Sequence, residues 1–228
     1  MYQKLLRHER ERFLVRFKCL IGVVYAMPEK YLVFTGRPNA GKSSIIKELT
    51  GLNLTTGKHA GTTRKVSYYP LSDGLVLVDL PGLGKMVGVS KKYEEKVNRR
   101  IIHFLNDNKD NIELAVVVLD ISTFMEVTWR LEKKGIMSVD VEMVKFLADN
   151  LGEFPLVAAN KIDKTKNQEL EANLNDFLNR ISDGNPAKVK DRVFPISAKK
   201  GTGVGELKSA IHEILVDRGY KNPLKIKK

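Results

Sequence analysis

Between Gly36 and Ser44 the chain reads GRPNAGKSS, a spacing that leaves few folds open to it. The preceding run Tyr31-Leu32-Val33-Phe34-Thr35 has the character of a buried strand. Ile45-Ile46-Lys47-Glu48-Leu49 behind it carries apolar residues at helical spacing. Gly-x-x-x-x-Gly-Lys-Ser between a strand and a helix is a phosphate-binding loop. Its glycines, Gly36 and Gly41, allow the backbone from Arg37 through Pro38, Asn39 and Ala40 to curl around phosphate oxygens without a Cβ in the way. The helix start at Lys42, Ser43 and Ser44 adds orphan N–H donors and a partial positive charge. Lys42 is placed to reach the terminal phosphates, and the Ser43 hydroxyl to take one position on Mg²⁺.

A chain of 228 residues suffices for one α/β domain with a substantial core. Its charge is unusual: 39 Lys and Arg stand against 27 Asp and Glu, a net +12. Such an excess points to an anionic partner, with RNA, DNA and acidic membrane as candidates. The single cysteine, Cys19, excludes an internal disulfide. No apolar run approaches the ~20 residues of a membrane-spanning helix, so the expected location is the cytoplasm. Strands alternate with helices along the chain, which predicts a mostly parallel six-stranded sheet with helices on both faces. One edge strand, Lys65 to Pro70, is expected to run antiparallel, and ligand to bind at the carboxyl ends of the strands.

Residues 1–26 stand apart, with six cationic residues against Glu9 and Glu11 and an apolar patch from Cys19 to Tyr25. They read as a dispensable basic extension ahead of a start at Met27; an RNA-binding arm is the other reading. The body then spans 27–220 and a basic tail 221–228, expected to fray. After the phosphate loop, the Gly-rich segment Asn53 to Thr63 reads as a loop containing Gly61, Thr62 and Thr63. A threonine here can give its hydroxyl to Mg²⁺ and its N–H to the terminal phosphate, ordering the loop only while that phosphate exists. Thr63 is the first choice and Thr62 the reserve. Two strands flank Ser72-Asp73-Gly74, and the second, Leu75 to Asp79, ends in Asp79-Leu80-Pro81-Gly82. Asp79 at a strand's carboxyl end can hold Mg²⁺ through a water, and Gly82 can bring its N–H against the terminal phosphate.

Lys91 to Asn106 reads as a helix whose Tyr93, Val97, Ile101, Phe104 and Leu105 face the sheet. Lys92, Lys96, Arg99, Arg100 and His103 form a separate basic stripe suited to a polyanion. Glu113 to Asp120 is a buried strand by its β-branched run. The long stretch Ile121 to Leu151 holds one helical segment around Val141, Val144 and Leu147, and the lone Trp129, which reads as packing or as partner contact. Next comes a short strand ending in Asn160-Lys161-Ile162-Asp163. A carboxylate at Asp163 can accept both the ring N–H and the exocyclic amine of guanine, a pattern that adenine cannot satisfy. Asn160 would brace the loops and the Lys161 stem cover the base. Ser197-Ala198-Lys199, after the last strand, can offer backbone to the guanine carbonyl. GTP and GDP are therefore the expected ligands.

Taken together, GRPNAGKSS, GTTRK, LVDLPGLG and NKIDK resemble the EngB (YihA/YsxC) family of single-domain GTP-binding proteins, of the translation-factor-related class with the P-loop NTPase fold. The likeness runs from about Met27 to Arg218. It implies a GTPase acting as a switch in assembly of the large ribosomal subunit, with ribosomal RNA rather than DNA as partner, a monomeric state, and a need for the protein in cell division and septation. The alternative is a guanine-nucleotide-sensing module that recruits division or membrane proteins, with hydrolysis incidental. Lys42, Thr63 and Gly82 are the expected catalytic groups. Leu83 stands where Ras-like enzymes place a water-orienting glutamine, so intrinsic hydrolysis is expected to be slow. In related GTPases an asparagine at the position of Asn39 holds K⁺ beside the phosphates; here Asn39 either does so or only stabilises the loop.

Overall fold

The computed structural model describes residues 29–52, 65–85 and 89–226. The extension over 1–26 and the loop with Gly61, Thr62 and Thr63 lie outside them. The strands β1 (Lys30–Gly36), β2 (Ser67–Pro70), β3 (Leu75–Asp79), β4 (Ile112–Asp120), β5 (Leu156–Asn160) and β6 (Val193–Ile196) form one sheet in the order β2-β3-β1-β4-β5-β6. β2 is antiparallel to β3 and all other neighbours are parallel, as the alternation of elements predicts. Described helices are α1 (Lys42–Thr50), α2 (Lys91–Asp107), α3 (Phe124–Glu132), α4 (Val139–Leu151), α5 (Asn167–Ile181) and α6 (Val204–Asp217).

The period of two along each central strand divides the core into two layers. In β4, Leu114, Val116 and Val118 join the layer that includes Ile45 and Leu49 of α1 and Leu207, Ile211 and Leu215 of α6. Ala115, Val117 and Leu119 of the same strand join the opposite layer, with Ile101 of α2, Val144 and Leu147 of α4, and Phe177 of α5. Burial on both faces is why this strand reads as an unbroken apolar run. Pro195 is tolerated because β6 is a sheet edge, where a missing N–H costs no ladder bond.

Helix ends follow local chemistry. α1 stops at Gly51, whose left-handed backbone (φ 72°) returns its N–H to the Lys47 carbonyl at 2.7 Å. α2 starts at Ser90, whose hydroxyl oxygen accepts from the Tyr93 N–H at 3.3 Å.

Two regions differ from expectation. The stretch from Ile121 holds two helices, and α3 is invisible in the sequence because it buries only Phe124 and Thr128. Trp129 lies on this helix at 63% exposure, which ends the reading of it as core packing. The tail is held in place as far as Ile226. Ile226 forms an antiparallel bridge with Leu71, the Ser72 hydroxyl donates to the Asn222 carbonyl, and Leu224 packs on the α1–α6 layer.

Phe124 and Phe177 meet edge to face, with centroids 5.1 Å apart and planes at 87°, and both are fully buried. Phe177→Ala should therefore lower stability by about 3–5 kcal/mol. Val216→Ala, at a surface position of α6, should change it by less than about 0.5 kcal/mol. Urea titration checks both, and equal losses would contradict this core.

Candidate functional site

β1 lies between β3 and β4, so the chain leaves it to one side and returns on the other. The carboxyl ends of these strands open the crevice where open α/β sheets bind ligand. Gly36 closes β1 there. Past the end of β3, the Leu80 N–H donates to the Phe34 carbonyl and the Leu83 N–H to the Gly36 carbonyl, both at 3.0 Å. These bonds press Asp79-Leu80-Pro81-Gly82 onto the phosphate loop. A Cβ on Gly82 would lie 2.6 Å from the Pro38 nitrogen, so only glycine fits.

Within the loop, the Ala40 N–H donates to the Arg37 carbonyl at 3.3 Å, and Asn39 adopts a left-handed conformation (φ 65°). Asparagine accepts this region more readily than most residues. α1 follows with no side-chain cap and no acidic residue in its first turn. Its positive end is therefore left for an external anion. Lys42, its first residue, is buried with Nζ 3.2 Å from the Asp79 carboxylate. Ser43 follows in the same turn. A serine hydroxyl and a carboxylate are hard oxygen donors of the kind Mg²⁺ selects. The described residues hold no group of three His, Cys, Asp or Glu at metal spacing. An ion here would draw Ser43 and Asp79 from the described residues, and Mg²⁺ usually adds phosphate and water to such a set. Thr63, the third expected ligand, lies outside the described residues.

On the other side, β5 ends in Asn160, buried and satisfied at both ends. Its amide N–H donates to the Ala40 carbonyl at 2.8 Å, and its carbonyl accepts from the Ala198 N–H at 3.0 Å. Gly41 must be glycine here, because a Cβ would lie 2.2 Å from the Asn160 amide nitrogen. Lys161 sits in the left-handed region (φ 72°) with Nζ 2.5 Å from Asp120 at the end of β4. Asp163 accepts from the buried Ser197 hydroxyl at 2.6 Å. That bond, helped by Lys199 and Lys200, holds its carboxyl below the usual range. A cleft of about 330 Å³ opens between these motifs, lined by Gly41 and Ser44 on one wall and by Asn160, Lys161, Asp163, Ala198 and Lys199 on the other.

Three polar residues of this region escape sequence reasoning. Asn98 of α2 accepts from the Gly84 N–H at 3.0 Å. Asp120, read only as a strand end, holds Lys161 and accepts from the Ser122 N–H and hydroxyl. Asp140, in the first turn of α4, pairs with Arg37 Nε at 2.7 Å. Its position among the first acids of a helix gives an ordinary reason for its presence, and no local signal reveals the distant partner.

Over residues 31–161 the chain matches the family described as 50S ribosome-binding GTPase. A probable GTP-binding protein EngB of Methanopyrus kandleri is 41% identical over 197 residues, covering 85% of this chain and 95% of that relative. Its counterpart in Pyrococcus horikoshii is 36% identical over 207 residues, covering 90% and 93%. The crystal structure of a probable GTP-binding protein engB aligns with a TM-score of 0.72 at 34% identity, over 82% of this chain and 99% of that one. The sheet topology is that of a P-loop GTPase, and the chain belongs to the EngB family of GTP-binding, GTP-hydrolysing proteins.

Proposed function

We propose that the protein is a slow guanine-nucleotide switch that acts in assembly of the large ribosomal subunit and is needed for normal cell division and septation. The observation that carries the nucleotide reading is the Asn160 amide. It ties the phosphate loop to the loop after β6, with Asp163 held beside it by Ser197. In this reading Asp163 accepts from the guanine ring N–H and exocyclic amine. The Ala198 region meets the guanine carbonyl, and the Lys161 stem covers the base. The N–H groups from Asn39 to Ser44, with Lys42, receive the phosphates. Ser43, Thr63 and Asp79 would hold Mg²⁺, which when bound neutralises charge on the transferred phosphoryl group. Gly61 and Thr62 adjoin Thr63 in the sequence and belong to the same proposed nucleotide-binding set.

Two features bear on rate and partner. The Leu83 side chain is apolar and packs against the core, so it cannot align a water. A bound partner, or a cation that Asn39 would hold to supply positive charge beside the phosphates, would provide the missing element. Lys92, Lys96, Arg99, Arg100 and His103 all project into solvent along α2. Lys91, just ahead of the stripe, pairs with Glu95 at 4.0 Å, and the exposed basic side chains are suited to RNA phosphates. The matched family's description as a 50S ribosome-binding GTPase supports the large subunit as the source of that RNA.

Three measurements test this reading. Asp163→Asn should move preference from guanosine to xanthosine triphosphate, because an amide can donate to the added carbonyl, and unchanged preference would remove the base assignment. Turnover should be faster in KCl than in NaCl, with the difference abolished in Asn39→Ala; equal rates in the two salts rule out the potassium role. The wild type should co-sediment with large subunits when GTP is present and salt is low. Changing Lys92, Lys96, Arg99 and Arg100 to Glu should flatten the slope of log affinity against log salt by about three. Association unaffected by those changes would move the RNA surface elsewhere.

A further inference from the structure

Among the described residues three charged side chains are buried: Lys42, Asp79 and Asp140. The first two face each other in the phosphate site. Asp140 lies outside the cleft, on α4, where a buried carboxylate loses its hydration. Burial pushes its carboxyl up, with Asp120 adding to the push, while Arg37 draws it back. The Arg37 guanidinium, 23% exposed, approaches it at 2.7 Å; its Nε–H is not aligned on the carboxylate, so the contact is an ion pair.

Arg37 is the second residue of the phosphate loop, and its carbonyl accepts the Ala40 N–H that closes the loop's turn. The carbonyl of Ala40 is in turn held by Asn160. The turn is thus gripped from both sides, by β5 through Asn160 and by α4 through Asp140 and Arg37. The first turn of α4 is itself seated beside the segment after Gly82: the Val139 methyls lie 3.6 and 3.7 Å from where a Gly84 Cβ would stand. We propose that Asp140 is a positioning residue: through the Arg37 guanidinium it fixes the Arg37–Ala40 turn in the curl that receives phosphate. Affinity for the nucleotide then depends on a carboxylate that does not touch it. The effect falls on phosphates that GDP and GTP share, so both ligands are affected alike. This inference rests on the phosphate-loop reading given above.

The test uses the full chain and two readouts, the affinity for fluorescent GDP and for a non-hydrolysable GTP analogue, and the thermal midpoint without added nucleotide. Asp140→Asn and Arg37→Gln should each weaken both nucleotides by about tenfold. Arg37→Lys, which keeps the ion pair, should retain most of the affinity. The double variant Arg37→Met/Asp140→Leu should regain a thermal midpoint near that of the wild type, since apolar replacement of a buried pair is often neutral. Its nucleotide affinity should nevertheless stay low. A double variant that binds GDP as the wild type does overturns the proposal. So do single variants that melt earlier yet bind unchanged, because the pair would then serve packing alone. Should the Asp140 variants not fold, the comparison of Arg37→Lys with Arg37→Gln decides, and equal affinities reject the role. A wild type that binds no guanine nucleotide would instead end the phosphate-loop reading itself.

Discussion

The arrangement of the site depends on one buried amide. Asn160 is the last residue of β5, and both ends of its side chain are used within the protein. A buried amide left with one unsatisfied end carries a desolvation cost of about 1–3 kcal/mol. The two loops that Asn160 joins are therefore held at a fixed spacing by the cost of separating them. That spacing dictates Gly41, since a methyl group there would collide with the amide. It also fixes the width of the cleft, one wall of which begins at Gly41 and the other at Asn160. One side chain at the end of β5 thus determines which residue the loop can carry at position 41.

Buried charge is the second constraint. A carboxylate or an ammonium loses its hydration on burial and persists only with a partner. Lys42 and Asp79 neutralise each other at 3.2 Å, and Arg37 neutralises Asp140 at 2.7 Å. Lys161 and Asp120, closer to solvent, make a third opposed pair at 2.5 Å. All three pairs lie at the carboxyl edge of the parallel sheet, and each joins elements distant in sequence. Elsewhere the sheet is covered by aliphatic side chains in two layers. The polar edge therefore separates cleanly from the apolar body, and the fold can tolerate costly charges in that one place.

Much of this was legible in the sequence, for identifiable reasons. β1, β3, β4 and β5 are buried on both faces, so their apolar runs stand out without any period. α5 and α6 show their buried stripes directly, through Phe177, Leu178 and Ile181 and through Leu207, Ile211 and Leu215. The Gly36–Ser44 loop and the Asn160–Asp163 motif stood out because the nucleotide site proposed for them would require fixed residue types at fixed spacing. α3 was not, since its exposed side chains include Met125 and Trp129 and its buried ones number two. In a nine-residue helix, apolar side chains on both the buried and the exposed face leave too short a stripe to stand out. The tail was misread for a similar reason: its lysines are conspicuous, while its anchors are the Asn222 carbonyl and a single bridge at Ile226.

What the sequence withholds most completely is pairing at long range. The spacing of Gly82 from Asp79 is plain in the sequence, yet its packing against Pro38 depends on Leu80 and Leu83 continuing the contact with β1 beyond the strand's end. The same holds for Asp140. As one of two acids at the start of a helix it complements the helix dipole, and nothing nearby distinguishes it from Glu142. Only the crossover that lays α4 beside the phosphate loop makes one of them a buried ion-pair partner and leaves the other in solvent. The local pattern decides that a helix begins there, and the sheet order decides what its first turn can hold.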